Sequence, residues 1–248
     1  MNLLETELEA NYRSFREDWT QQATKNWNDL AKEKHYLESY RRLCCLQALK
    51  VQLIEPHCSP DSSAFFLEAH NDAVASHVSA SMGAWRPALQ SLRSCLENTL
   101  STIYYKDHPI ELQLWQAGKF RKGFSELMRY AQQHPIVSSS DAKITGLELI
   151  ESEYATLSKA VHASATIFRM TDVASKILIW STESDRLGMW ATRERKVIEG
   201  ISLLLVCLFA DRLQGTLLPQ LRDILSYAVT PAKRKLLKKE FNISISKS

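Results

Sequence analysis

The chain has 248 residues, of which 45% are hydrophobic and 24% are charged, a composition that is ordinary for a globular protein and excludes an intrinsically disordered one. Only 7 glycines and 7 prolines are present, so the residues that tight turns and hairpins consume are scarce. The composition therefore favours helices joined by short loops.

The sequence shows no targeting, membrane or metal signal. Acidic, basic and aromatic residues are mixed from Met1 to Trp19, without the basic-then-apolar order of a secretory signal. The longest apolar run, ISLLLVCLFA at 201–210, is about half of a membrane span, which predicts a buried core helix. The 5 cysteines have no CxxC spacing, and His70 and His77 lack the spacing of an HExxH site. We expect a cytoplasmic protein with reduced thiols, no metal, no cofactor and no membrane contact.

The first third of the chain predicts three helices. Apolar residues spaced by four, four, three and four positions lie on one face of a long opening helix: Leu4, Leu8, Tyr12, Phe15 and Trp19. A second helix is predicted over 24–54, with Trp27 and Leu37 among its packing residues. The run EPHCSPDSS ends that helix, and Asp61 or Ser62 is available to cap a third helix over 63–79.

Further helices are predicted over 84–106, from Pro109 to a cap at Gly118, and over 120–133, 143–164 and 184–213. The run IVSSSDA reads as a loop, and 166–180 suits a strand almost as well as a helix. Thr230 and Pro231 read as the N-cap and first residue of a basic helix, followed by a small strand or a disordered end at 242–248. The prediction is a single all-α domain over 1–248, with N-terminal helices at 1–80, a helical bundle at 84–228 and a basic tail at 230–248.

The positive charge lies in that tail. Residues 232–248 carry a net charge of +5, which leaves −2 for the rest of the chain. A basic patch can contact nucleic acid or an acidic partner surface, although such a run is also typical of a solvated end. The residues in question are Lys233, Arg234, Lys235, Lys238 and Lys239.

Two helices carry polar residues that could do chemistry together. Arg93 and Glu97 are four residues apart on one helical face, as are Ser158 and His162 on another. If these helices pack together, a cation, a carboxylate and an imidazole would meet in one cleft and support acid/base work or hold a phosphate. The alternative is a buried polar network that fixes the register of the two helices.

Two stretches of sequence carry a family resemblance. WRPALQSLRSCLENTLSTIYYKDHP, which begins at Trp85, and YATLSKAVHAS, which begins at Tyr154, together resemble the HEPN-like helical proteins of bacterial antiphage and abortive-infection systems. The resemblance implies a HEPN-like helical bundle. It also implies metal-independent RNA cleavage by an arginine and a histidine on one helix with four to six residues between them, often in a site completed by dimerisation.

The chain departs from that motif at His162. The positions where the arginine is expected hold Ala155, Thr156 and Leu157, and Lys159 lies only three residues before the histidine. A literal match occurs elsewhere, in RYAQQH from Arg129 to His134, but it abuts Pro135, where a helix must end.

We expect the chain to have a protein partner or to form a homo-oligomer, and self-association would favour a composite nuclease. Three hypotheses follow. The first hypothesis is a non-catalytic helical subunit of a defence system that binds a partner protein or nucleic acid. The second is a ribonuclease toxin that uses His162 or His134 with Arg93, Lys159 or Arg129, because a general base and a cation suffice to cleave RNA. The third is a helical regulator with no link to immunity.

Overall fold

The computed structural model describes residues 3–161, 184–215 and 217–246, and all the regular secondary structure in these ranges is helical. The all-α prediction is thereby confirmed. The α-helices are α1 (Leu3–Leu30), α2 (Lys34–Leu49), α3 (Glu55–His57), α4 (Pro60–Ser81), α5 (Trp85–Asp107), α6 (Pro109–Gln116), α7 (Phe124–Gln133), α8 (Pro135–Ser138), α9 (Leu147–Val161), α10 (Ser184–Leu208), α11 (Ala210–Leu213), α12 (Pro219–Ile224) and α13 (Pro231–Phe241).

The core of the bundle is built around α5 and α10. Helix α5 packs against α4, α7, α9 and α10, and α10 packs in addition against α2. The apolar run at 201–210 is buried throughout, as predicted, and its burial excludes water from the centre of the bundle. Helices α2 and α4 therefore belong to the same core as α5, α9 and α10.

Several helix boundaries differ from the prediction. Residues 31–33 form a turn between α1 and α2, so two separate helices are present where one helix over 24–54 was expected. Trp27 and Leu37 are exposed and do not pack in the core. Helix α4 is capped by Ser59, which accepts a hydrogen bond from the backbone N–H of Ser62, rather than by Asp61 or Ser62.

Other boundaries agree more closely. Helix α6 begins at Pro109, Gly118 follows it in the left-handed conformation, and Thr230 is the N-cap of α13. The predicted loop IVSSSDA instead holds the short helix α8 and a 3₁₀ turn at Ala142–Ile144. Residues 242–246 form neither a strand nor a disordered end, because Ile243 and Ile245 are buried against the bundle. The ambiguous segment 166–180 lies outside the described residues.

A buried polar network ties α2 to α4 and α10. The guanidinium of Arg42 donates to one carboxylate oxygen of Glu194 at 2.6 and 2.7 Å, and both side chains are almost fully buried. Beside them Ser39 is hydrogen-bonded to Nδ1 of His77, and the ring of Tyr36 stacks on the imidazole. Burial lowers the pKa of His77 to about 4, so its imidazole is neutral and structural at physiological pH.

Two glycines set the close approach of α9 to α10. Gly146 has φ +74° just before α9, and a Cβ atom at this position would lie 2.3 Å from the carbonyl oxygen of Gly200 in α10. About two turns further on, the buried carboxylate of Glu153 accepts from Arg193 and pairs with Lys196, both on α10. These contacts fix the face of α9 that is turned toward α5.

Helix α1 is an arm that leaves the bundle. Every residue from 3 to 21 is exposed, and the helix first becomes buried at Asn26 and Leu30, where it meets the body. The predicted apolar face is present on the helix, and each of its members keeps more than a third of its surface in solvent. Its members are Leu4, Leu8, Tyr12, Phe15 and Trp19, which are between 37% and 61% exposed.

Among the helices in the described ranges, none has both the length and the hydropathy needed to cross a membrane.

Candidate functional site

The structure brings the predicted polar residues of α5 and α9 together. Nε of Arg93 donates to the hydroxyl of Ser158 at 3.3 Å, and Nη2 of Arg93 lies 2.9 Å from the carboxylate of Glu97. Both charged side chains are about 30% exposed, at 28% and 32%, so the cluster lies at the rim of the helix pair rather than in the core. The packing of α5 on α9 is what creates this meeting, since Arg93 and Ser158 are 65 residues apart in sequence.

A tyrosine that sequence reasoning missed completes the cluster. The hydroxyl of Tyr154 accepts from Nη2 of Arg93 at 2.5 Å and donates to the carboxylate of Glu97 at 2.8 Å. Its ring lies under the guanidinium at 4.8 Å and stacks on Phe124 of α7 at 3.3 Å between centroids. Burial, followed by the hydrogen bond to Glu97, raises the pKa of the Tyr154 hydroxyl, so it stays protonated and acts as a donor.

The cluster is closed on itself. Cation, carboxylate and phenol form a triangle of hydrogen bonds, and the charges of Arg93 and Glu97 cancel. Such an arrangement holds three helices in register, because α5, α7 and α9 each contribute a contact. An arginine that catalyses RNA cleavage must give its N–H groups to a phosphate. Here Nε and Nη2 are already taken by Ser158, Tyr154 and Glu97.

The remaining members of the predicted cluster are placed differently. His162 lies outside the described residues. Lys159 is exposed on α9, one position after Ser158, and it does not take part in the triangle.

Removing the phenol tests the structural role of the cluster. We expect Tyr154→Phe to lower the free energy of unfolding by about 1 kcal/mol, because it deletes the hydroxyl shared by Arg93 and Glu97 and keeps the ring on Phe124. Thermal and denaturant unfolding measure this change. The matched control is Tyr40→Phe, an exposed tyrosine on α2 whose loss should leave stability nearly unchanged. Equal stability of Tyr154→Phe and the wild type would show that the triangle contributes nothing to the fold.

The alternative motif, Arg129 and His134, is not assembled on one helix. Arg129 is exposed on α7, whereas His134 follows the end of α7 and is the N-cap of α8. The imidazole instead faces Asp107, with Nε2 3.6 Å from the carboxylate, which also accepts from the hydroxyl of Tyr130 at 2.6 Å. Burial lowers the pKa of His134 despite the raising effect of Asp107, so the ring is mostly neutral near pH 7.

The basic tail is an ordered helix whose five cations have two different roles. Lys233 donates to the backbone carbonyl of Lys143, and Arg234 donates to the carbonyls of Val229 and Ser226, so both anchor α13 to the bundle. Lys235, Lys238 and Lys239 are exposed. Their spacing of three and four residues places them on one face of α13, which is the part of the predicted basic surface that solvent or a polyanion can reach.

A pocket of about 320 Å³ lies beside the start of α13. Arg42, Arg195 and Arg234 line it together with Ser226. Two of these guanidinium groups are already engaged, Arg42 by Glu194 and Arg234 by backbone carbonyls. These two arginines therefore serve first to hold α2, α10 and α13 in place, and Glu38 also lines the pocket, so its positive charge is partly offset.

Sequence reasoning found Arg93, Glu97 and Ser158 by their helical spacing, and the same spacing would have found Tyr154, which lies one turn before Ser158. Comparison of the chain with protein-family models, with curated proteins and with solved structures finds no significant match.

Proposed function

We propose that this chain is a non-catalytic helical subunit whose arm, α1, binds another protein chain. The observation that carries the proposal is the arm itself: every residue from 3 to 21 is exposed, and its apolar residues form one continuous face. A contiguous exposed apolar surface of this kind marks a protein interface. A single helix with so little support is also marginally stable in water, because most helical stability in proteins comes from packing of the apolar face.

The state of the polar cluster supports binding rather than catalysis. Arg93, Glu97, Tyr154 and Ser158 engage one another through Nε and Nη2 of Arg93, and Arg129 and His134 do not share a helix. The resemblance of residues 85–164 to HEPN-like proteins supports a place for such a subunit in a bacterial antiphage system. A ribonuclease of the same family type is the alternative.

A second binding role is favoured by the exposed lysines of α13. Lys235, Lys238 and Lys239 share one face and have no carboxylate within salt-bridge distance among the described residues. We propose that this face contacts the phosphate backbone of a nucleic acid, which would make the contact weak, independent of sequence and strongly dependent on salt.

The experiment that tests the proposal is incubation of the purified full chain with labelled RNA, including tRNA, in EDTA. We expect no cleavage, and we expect RNA retention that falls with added salt and falls further in Lys235→Gln/Lys239→Gln. Arg212→Gln/Lys25→Gln removes the same charge from exposed sites elsewhere and is the matched control. Cleavage that persists in EDTA and is lost in Arg93→Gln or His134→Ala would overturn the proposal in favour of the ribonuclease.

A further inference from the structure

The exposed face of α1 has the period of a two-stranded coiled coil. Leu8, Tyr12, Phe15 and Trp19 are separated by four, three and four residues, which is the alternation of d and a positions in a heptad repeat. Their side chains are exposed by 58%, 61%, 57% and 37%, so each keeps part of its surface in solvent.

An antiparallel pair of α1 helices fills this face with complementary sizes. When Leu8 of one copy lies opposite Trp19 of the second, Tyr12 lies opposite Phe15 of the second copy, and the two-fold axis repeats both layers. Each of the four layers then joins two apolar side chains. A parallel pair would instead set Trp19 against Trp19 and Tyr12 against Tyr12, which crowds large rings at the same level.

The flanking charges favour the same antiparallel register. Glu9 and Arg16 each follow a d position and so occupy e positions, which face each other across an antiparallel pair. Glu9 of each copy is then opposite Arg16 of the other, which gives two ion pairs on one side of the interface. Neither residue is part of a salt bridge within the described chain.

The length of the arm suits this register. Leu3 of one copy lies opposite Thr24 of the second, just before Asn26, where α1 becomes buried in the body. The overlap therefore uses the whole exposed arm, about 30 Å of helix at about 1.5 Å per residue, and places the two bundles at opposite ends of the helix pair.

We infer that the partner of α1 is a second copy of this chain, bound through an antiparallel helix pair. This inference rests on the proposed function, since it names the partner of the same surface.

The test is the molecular mass of the purified full chain, measured by sedimentation across a range of concentrations, for four proteins. The wild type is expected to form a dimer. Glu9→Arg and Arg16→Glu should each weaken the dimer by roughly tenfold, because each replaces two ion pairs by two like-charge contacts. Glu9→Arg/Arg16→Glu should restore it, because the exchanged charges face each other again. If the single substitutions acted only by destabilising α1, combining them would not restore the dimer.

A monomeric wild type at all concentrations would overturn the inference, as would a dimer that the single reversals leave unchanged. If the wild type is monomeric but replacing Phe15 by glutamate abolishes binding of a different protein, the inference fails and the proposed function stands. The failure of the inference and the failure of the proposed function can therefore be told apart.

Discussion

Phe15→Glu is expected to weaken association through α1 by roughly a hundredfold or more. A buried aromatic side chain contributes about 1.5–3 kcal/mol of transfer free energy. Because each of the two copies loses its Phe15 ring, this contribution is lost twice in the pair. A glutamate in the same place would also bury a carboxylate against Tyr12 of the second copy, which adds to the cost.

Ser14→Glu is the matched control for this prediction. Ser14 is adjacent to Phe15 and exposed, but it lies outside the a and d positions of the repeat. The same residue is thus introduced one position away, on a different face, and association should change little. Equal loss of association in both variants would mean that added negative charge, rather than the apolar face, is responsible. Unchanged association in both variants would mean that the interface does not lie on this face of α1.

The second large effect is expected at the buried ion pair between α2 and α10. Arg42→Met should lower the free energy of unfolding by about 3–5 kcal/mol near neutral pH, because it leaves Glu194 buried without its cation. One oxygen of Glu194 already has no hydrogen-bond partner among the described residues. The nearby Ser39 and Arg195 lower the pKa of Glu194 less than Arg42 does, so they do not replace the guanidinium. Denaturant unfolding of the full chain measures the loss.

The pH dependence of this variant has a definite sign. Burial raises the pKa of the Glu194 carboxyl, against the lowering effect of Arg42, and loss of Arg42 raises it further. A raised folded-state pKa stabilises the fold below the unfolded pKa of about 4.3 and loses that contribution as pH rises. The deficit of Arg42→Met should therefore be smallest below the unfolded pKa of about 4.3 and should grow as pH rises above that value.

Two controls separate charge burial from a general loss of packing. Arg41→Met removes the neighbouring arginine, which is 40% exposed and pairs with Glu38, and should cost less than about 1 kcal/mol. Arg42→Met/Glu194→Leu removes both charges and should recover most of the stability. A double variant as unstable as Arg42→Met would contradict the assignment of the loss to an unpaired carboxylate.

Helical periodicity predicted which segments are helical, but it did not predict which helical faces are buried by neighbouring elements. The face of α1 was placed on one side of a helix from spacing alone, yet spacing does not show whether that face meets the bundle. Trp27 and Leu37 illustrate the same limit, because their exposure depends on which elements pack nearby. The cap of α4 was missed by two or three residues because the run EPHCSPDSS offers several polar side chains that can cap a helix, and only the conformation of the chain selects Ser59.

The candidate site was predictable in part. Arg93 with Glu97, and the position of Ser158, followed from four-residue spacing within each helix. The position of α9 depends in addition on its packing against α10, where Gly146 and Gly200 approach each other closely. No local sequence pattern predicts this approach. Tyr154 lies one turn before Ser158, so the same spacing indicates its face, but only the fold shows its contacts with Glu97 and Arg93, 57 and 61 residues away.

Hydrogen exchange of the α1 amides at low and high protein concentration tests most directly whether the arm is a binding surface. We predict rapid exchange across residues 5–21 in the dilute full chain, because an unpaired helix of this length opens readily, and protection that rises with concentration as the apolar faces pair. Phe15→Glu should remove the concentration dependence. Protection that is equally strong at the lowest concentration, or equally absent at the highest, would contradict an arm that is stabilised by a second copy.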